Sequence, residues 1–120
     1  MAQVTGIGGV FFRAHDPKAL ALWYTTHLGI TAGQTPWQQA AGPTVFAPFP
    51  ADTDYFPADR AFMLNLRVDD LSGMIASLNS AGIPTETRAE WDGPWGSFAR
   101  LHDPEGNPIE LWQPPAPDET

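Results

Sequence analysis

The length of 120 residues allows one domain, and a composition of 42% apolar and 17% charged residues is typical of a globular chain rather than a disordered one. Six basic against fourteen acidic residues give a net charge of −8, which argues against nucleic acid and anionic membranes as partners. The lack of cysteine excludes disulfides and thiolate metal ligands. With no signal-peptide pattern and no long apolar stretch, we expect a cytoplasmic protein.

The first half of the sequence predicts a strand, a capped helix and three further strands. Residues 6–14 are rich in aromatic and β-branched side chains, which favours a strand. Asp16 and Pro17 supply an N-cap and a first helical residue, and large apolar residues then recur at three- and four-residue steps as far as Leu28. Gly29 stands where a helix should end. Further strands are expected at residues 31–34, 37–40 and 44–49.

The same pattern returns in the second half. Residues 62–68 predict a strand, Asp70 takes the place of Asp16 as a helix cap 54 residues later, and Gly82 ends the second helix. Three more strands are expected at residues 85–91, 97–102 and 108–113. We therefore predict one α+β domain over residues 1–120, built from two tandem βαβββ modules at about 6–50 and 61–114.

A linker at residues 50–60 separates the two predicted modules. It contains three acids and two prolines around Tyr55 and Phe56, a composition that favours a plain connection. The alternative is a lid that uses Tyr55 and Phe56 to cover a binding site. Composition favours the connection over the lid.

A tight turn in the second half places one carboxylate on a strand. Residues 103–107, Asp-Pro-Glu-Gly-Asn, have turn chemistry, and Ile109 and Leu111 then alternate with Glu110 and Trp112. A carboxylate within an apolar strand is unusual on propensity grounds. Glu110 therefore lies either on a solvent-exposed face of its strand or in a cavity.

Taken together, these segments resemble the vicinal oxygen chelate superfamily, which includes glyoxalase I, extradiol dioxygenases and the bleomycin and fosfomycin resistance proteins. The resemblance implies a curved mixed sheet of two βαβββ modules around a ligand cavity, commonly at a homodimer interface. It also implies, for the enzymes of the family, a divalent metal held by four side chains from the first and last strand of each module. The matching segments are residues 9–17, 23–30, 66–71 and 103–111.

The four metal positions that the resemblance implies fall on Gly9, Met63, Phe46 and Glu110. Glycine, methionine and phenylalanine are not ligands for a hard or borderline divalent ion, so Glu110 is the only matching position. If Trp37 is instead paired with Trp91, the position in the first module cannot be assigned. We expect no cofactor and no family metal centre, although a divalent metal on a non-standard site including Glu110 stays open.

The leading hypothesis is a small homodimer that binds a planar or aromatic organic ligand without a metal. Glu110 is the candidate catalytic residue, as a general base, and otherwise a ligand contact or a structural carboxylate. The alternative is a divalent-metal-dependent lyase, isomerase or dioxygenase, so enzyme activity is left open. The positions that the resemblance implies, together with strand alternation counted from them, give the candidate ligand-binding residues as Phe11, Arg13, Phe46, Met63, Asn65, Arg67, Glu110 and Trp112.

Overall fold

The computed structural model describes residues 2–33 and 35–116. Its sheet consists of β1 (Leu64–Arg67), β2 (Ser97–His102) and β3 (Pro108–Gln113) in the order β1–β3–β2, with β1 parallel and β2 antiparallel to β3, so the protein is a small α+β fold with a mixed open sheet. No helix in these ranges is long and apolar enough to cross a membrane. The elements are α1 (Pro17–Leu28), β1 (Leu64–Arg67), α2 (Leu71–Ser80), a 3-10 turn (Ala89–Trp91), β2 (Ser97–His102) and β3 (Pro108–Gln113).

Both helices begin at the predicted aspartates. The Asp16 side chain accepts a hydrogen bond from the Ala19 N–H at 3.1 Å, and the Asp70 side chain accepts one from the Gly73 N–H at 3.0 Å. Each carboxylate thereby satisfies one of the unpaired N–H groups of a first helical turn. Gly29 ends α1 with φ +70°, a conformation that glycine adopts without strain.

Alternation along β2 and β3 separates an apolar face from a polar one. One face packs on α2 through Leu71 and Leu78 and on α1 through Leu20 and Tyr24. The sheet residues of this core are Ala99, Leu101, Ile109 and Leu111, all essentially inaccessible to solvent. Glu110 and Trp112, which point to the other face, are also buried, so chain outside the sheet must cover them.

The predicted strands of the first half are absent among the described residues. Residues 6–14, 31–33, 37–40 and 44–49 have no strand, and residue 34 of the strand predicted at 31–34 lies outside the described residues. These segments pair with none of the strands of the described sheet, and a strand needs a neighbour for its backbone hydrogen bonds; Phe11 is 95% exposed and Phe46 is 85% exposed. The tandem βαβββ arrangement therefore stays a prediction.

The second half follows the prediction more closely, with one correction. The strand predicted at 62–68 is shortened to β1, while β2 and β3 have the predicted bounds. The strand predicted at 85–91 is reduced to one bridge between Glu86 and Arg100, and the chain then turns into the 3-10 helix. Residues 86–90 are exposed, as expected for a segment at the edge of the sheet that pairs with β2 at Glu86 only.

Candidate functional site

Three polar residues form a row across the sheet on the face opposite the helices. Strand register places Asn65 of β1 beside Glu110 of β3, and Glu110 beside Arg100 of β2. We call Asn65, Glu110 and Arg100 the polar row. Next to it, the rings of Phe98 and Trp112 are stacked with centroids 6.3 Å apart and planes within 5°. A carboxylate, a guanidinium and a flat aromatic surface therefore share one face.

Both oxygens of the Glu110 carboxylate are engaged. The side chain is 7% exposed; its Oε1 accepts from Asn65 Nδ2 at 2.7 Å, and its Oε2 accepts from the hydroxyl of Tyr55. Burial, together with the bond to this carboxylate, raises the pKa of Tyr55 from 10.0 to about 12. Glu110 is thus a buried hydrogen-bond acceptor, and loss of either donor would leave one of its oxygens unpaired at a cost in free energy.

Arg100 lies beside two aromatic rings. It is 9% exposed, and its guanidinium carbon is 5.0 Å from the Tyr55 ring centroid and 5.5 Å from that of Trp91. Its Nη2 donates to the Tyr55 carbonyl at 2.8 Å, whereas its buried Nε has no partner in the described part of the chain. A desolvated guanidinium next to aromatic faces gains cation–π attraction, yet one of its donors is left unsatisfied.

Tyr55 of the linker at residues 50–60 covers Glu110 and Arg100, whereas Asn65 at the end of the polar row is exposed. Tyr55 stacks on Phe49 with centroids 5.7 Å apart and meets the Trp91 ring edge-on at 6.5 Å, and Phe56 also packs on Phe49 with centroids 5.7 Å apart. The expectation of a plain connection is therefore wrong for Tyr55, because its phenol ring and backbone carbonyl both contact the polar row. The lid alternative describes this geometry.

The turn that precedes β3 holds Glu110 in register with Arg100. The buried carboxylate of Asp103 accepts from the Tyr24 hydroxyl at 2.7 Å and from Asn107 Nδ2 at 2.8 Å, and its other oxygen accepts from the N–H groups of Glu105 and Asn107. Burial and the bond to Asp103 raise the pKa of Tyr24 far above its usual 10.0. One side chain thus connects α1 to the β2–β3 turn.

The structure brings together half of the residues predicted to bind ligand. Asn65 and Glu110 are directly hydrogen-bonded, and Arg67 and Trp112 form the next register pair on the same face of the sheet. Arg67 also donates a hydrogen bond to the Ala40 carbonyl at 3.1 Å. Met63 is half-buried just before β1. The remaining three predicted residues lie apart from the polar row: Phe11 and Phe46 are exposed, and Arg13 lines a separate cleft with His15 and Arg60.

Sequence reasoning missed Arg100 and undervalued Tyr55. Arg100 could have been found, because pairing Leu101 with Ile109 across the predicted turn sets Arg100 opposite Glu110. Tyr55 carried no such signal, since it lies 55 positions from Glu110 on a segment without periodicity. The Trp91 ring also lies beside Arg100.

The donor set of this face does not fit the divalent metal of the related enzymes. Among residues 2–33 and 35–116, no three His, Cys, Asp or Glu side chains are grouped closely enough to hold a metal ion. Glu110 already accepts two hydrogen bonds from neutral donors, and Gly9, Phe46 and Met63, the other positions that the resemblance implies, offer no hard ligand. This donor set does not support a chemical step on a metal.

A glyoxalase-like domain model matches residues 9–112, so the chain belongs to the glyoxalase-like domain family of the vicinal oxygen chelate superfamily. Among solved structures, it is similar to TnmS3, an antibiotic binding protein from Streptomyces sp. CB03234, with 26% identity, a TM-score of 0.59, and coverage of 96% of this chain and 100% of that chain. It also resembles a glyoxalase/bleomycin resistance protein from the same organism, with 29% identity, a TM-score of 0.47, and coverage of 82% and 91%. A search of curated proteins found no match.

The two tyrosines of the chain predict a distinct alkaline titration. Because both pKa values are raised in the folded state, tyrosinate absorbance should be nearly absent near pH 10, where the unfolded chain in urea is half titrated. The unfolded state releases protons first, so stability should fall as pH rises from about 10 towards 12. In Tyr24→Phe the remaining transition should lie near 12; a transition near 10 would contradict the Tyr55 contacts.

Proposed function

We propose that this protein binds a small planar organic ligand on the polar row and the adjoining Phe98–Trp112 surface, without a metal centre. The observation that carries the proposal is the combination, on one sheet face, of a buried acceptor, a buried guanidinium and a stacked pair of rings. Flat ring surfaces favour aromatic ligands by stacking, and a few directed polar groups give orientation.

The comparisons support a binding role. TnmS3, which matches this chain along its whole length, is an antibiotic binding protein. In the present chain Glu110 accepts hydrogen bonds from Asn65 and Tyr55, and Arg100 donates one to the Tyr55 carbonyl. These two side chains are therefore not free to act as a general base and a general acid. This arrangement favours recognition of a ligand over a proton-transfer role for Glu110.

Fluorescence titration tests the proposal, since Trp91 and Trp112 lie within the site. Planar aromatic phenols, aromatic acids and cationic aromatic drugs should be screened, and at least one class should quench tryptophan emission with a saturable dependence. No saturable response to any class would contradict the proposal. Metal analysis of protein purified without chelator tests the metal-dependent alternative: stoichiometric metal that is lost in Glu110→Ala would favour that alternative.

The same proposal includes a homodimer. The chain exposes 9054 Å², whereas a folded monomer of its mass exposes about 6,400 Å². The excess is larger than the roughly 800 Å² that each partner contributes to a standard interface. Exposed apolar side chains of the first half supply much of it, among them Val4, Phe11, Val45 and Phe46. A second copy that pairs with these segments would supply the strand edges that the tandem βαβββ modules need.

Light scattering coupled to gel filtration should therefore give the mass of a dimer. Phe46→Asp places a charge on the exposed apolar segment and is expected to shift the protein to monomer, because a buried unpaired charge opposes association. Ala76→Asp adds the same charge on the exposed side of α2 and should leave the dimer intact. A monomeric wild-type protein would contradict the dimer. A cytoplasmic location belongs to the proposal and is based on the sequence alone.

A further inference from the structure

Tyr55 contacts the polar row in three ways. Its hydroxyl donates to Glu110 Oε2, its carbonyl accepts from Arg100 Nη2 at 2.8 Å, and its ring lies 5.0 Å from the Arg100 guanidinium. The residue belongs to the linker at 50–60, which joins the two halves and contains no helix or strand. A phenol from a connecting segment therefore fills the place where the sheet presents its acceptor and its cation.

Outside these contacts, Tyr55 is held by two aromatic neighbours and one local hydrogen bond. Its N–H donates to Thr53 Oγ1, two residues away at 3.2 Å, and its ring packs on the half-exposed Phe49 and edge-on against Trp91. Its backbone makes no strand pairing to β1, β2 or β3. Segments with few buried contacts and no regular hydrogen bonding open at low free-energy cost.

We propose that Tyr55 is a displaceable plug in the ligand site, and that the site selects planar compounds bearing an aromatic hydroxyl, which replace the Tyr55 phenol on Glu110. This inference rests on the proposed function and names the ligand class for it. The entering hydroxyl donates to Glu110 as the tyrosine did, and the entering ring takes the position beside Arg100.

Selectivity follows from the buried carboxylate. When Tyr55 leaves, Glu110 Oε2 loses its hydrogen-bond donor. An aromatic ligand without a hydroxyl would then leave that buried oxygen without a hydrogen bond. Sites built to pair a ligand hydroxyl discriminate strongly against analogues that lack it. The unpartnered Nε of Arg100 is a further donor that a ligand oxygen can reach once the linker has moved.

The probes are 2-naphthol and its matched analogue 2-methoxynaphthalene, which keeps the ring and loses the hydroxyl proton. Calorimetric titration of the wild-type protein should give at least a tenfold higher affinity for 2-naphthol, as expected for one hydrogen bond to a buried charged group. In protein labelled with carbon-13 at the tyrosine Cζ, the Tyr55 signal, assigned in Tyr24→Phe, should shift to that of a solvated phenol as 2-naphthol saturates the site.

Removing the plug should strengthen binding. Tyr55→Ala is expected to bind 2-naphthol about tenfold more tightly than wild type, since the ligand no longer competes with an internal phenol. Tyr55→Phe, which keeps the ring and loses only the hydroxyl, should also bind more tightly and serves if the alanine variant does not fold. Asp54→Ala alters the exposed neighbouring residue of the linker and should bind as wild type does.

The possible outcomes distinguish a failure of the Tyr55 plug from a failure of the proposed function. Equal affinity for the two probes, or an unmoved Tyr55 signal at saturation, or weaker binding in both Tyr55 variants would overturn the plug and leave a planar-ligand site in place. If neither probe nor any compound of the wider aromatic panel binds the wild-type protein and the Tyr55 variants, the proposed function itself fails.

Discussion

Replacing Asp103 with alanine should lower the free energy of unfolding by about 3–4 kcal/mol, a large part of the stability of a small domain. The buried carboxylate accepts hydrogen bonds from the Tyr24 hydroxyl, from the Asn107 side chain and from two backbone N–H groups of the turn. Alanine removes both acceptor oxygens, and with them all four hydrogen bonds, and leaves the Tyr24 hydroxyl unpaired in the core. Urea denaturation followed by circular dichroism measures the loss.

Tyr24→Phe is the matched control, because it removes one of these hydrogen bonds and leaves the turn intact. Its expected cost is about 1–2 kcal/mol. Asp103→Asn, which keeps one acceptor oxygen, should fall between the two variants. If Asp103→Ala costs no more than Tyr24→Phe, the turn at 103–107 does not depend on this carboxylate, and the register of Arg100 with Glu110 must have another origin.

Replacing Glu110 with alanine should weaken the binding of a planar phenol by about 10- to 100-fold, the value of one or two hydrogen bonds to a charged acceptor. Both of its oxygens are paired, so the change also removes the acceptor for Asn65 and Tyr55. The pKa of Tyr55 should then move down from about 12, since the carboxylate that favours its neutral form is gone. Calorimetry measures the first effect and alkaline titration the second.

Glu90→Ala is the control for charge alone, because Glu90 is an exposed acid beside Trp91 in the 3-10 turn. It should change neither the affinity nor the titration of Tyr55. Glu110→Gln keeps the size of the side chain and should show an intermediate loss. Unchanged affinity in Glu110→Ala, with the protein folded, would limit Glu110 to a structural role.

Local patterns in the sequence were enough to predict the elements that position the site. Asp16 and Asp70 cap their helices as expected, because a cap is an interaction between residues three positions apart. The turn at 103–107 and the alternation along β3 placed Glu110 on the face away from the helices for the same reason. The family also followed from these short segments, and the domain model over residues 9–112 confirms it.

The first half shows where local pattern is insufficient. Its aromatic and β-branched segments favour strands, but a strand also needs an edge to pair with. Within one chain the sheet consists of β1, β3 and β2, all from the second half, and Phe11 and Phe46 remain exposed. Strand pairing depends on contacts that are distant in the sequence, so strand propensity alone could not decide it.

The sequence by itself determined the helices, the turn and the buried strand faces, and it singled out Glu110 as a carboxylate within an apolar strand. Only the tertiary structure decided what surrounds that carboxylate. Tyr55 reaches Glu110 across 55 positions, and Asn65 and Arg100 meet it through strand register. The physical reason is that the path of an irregular linker depends on long-range packing, for which residues 50–60 carry no periodic signal.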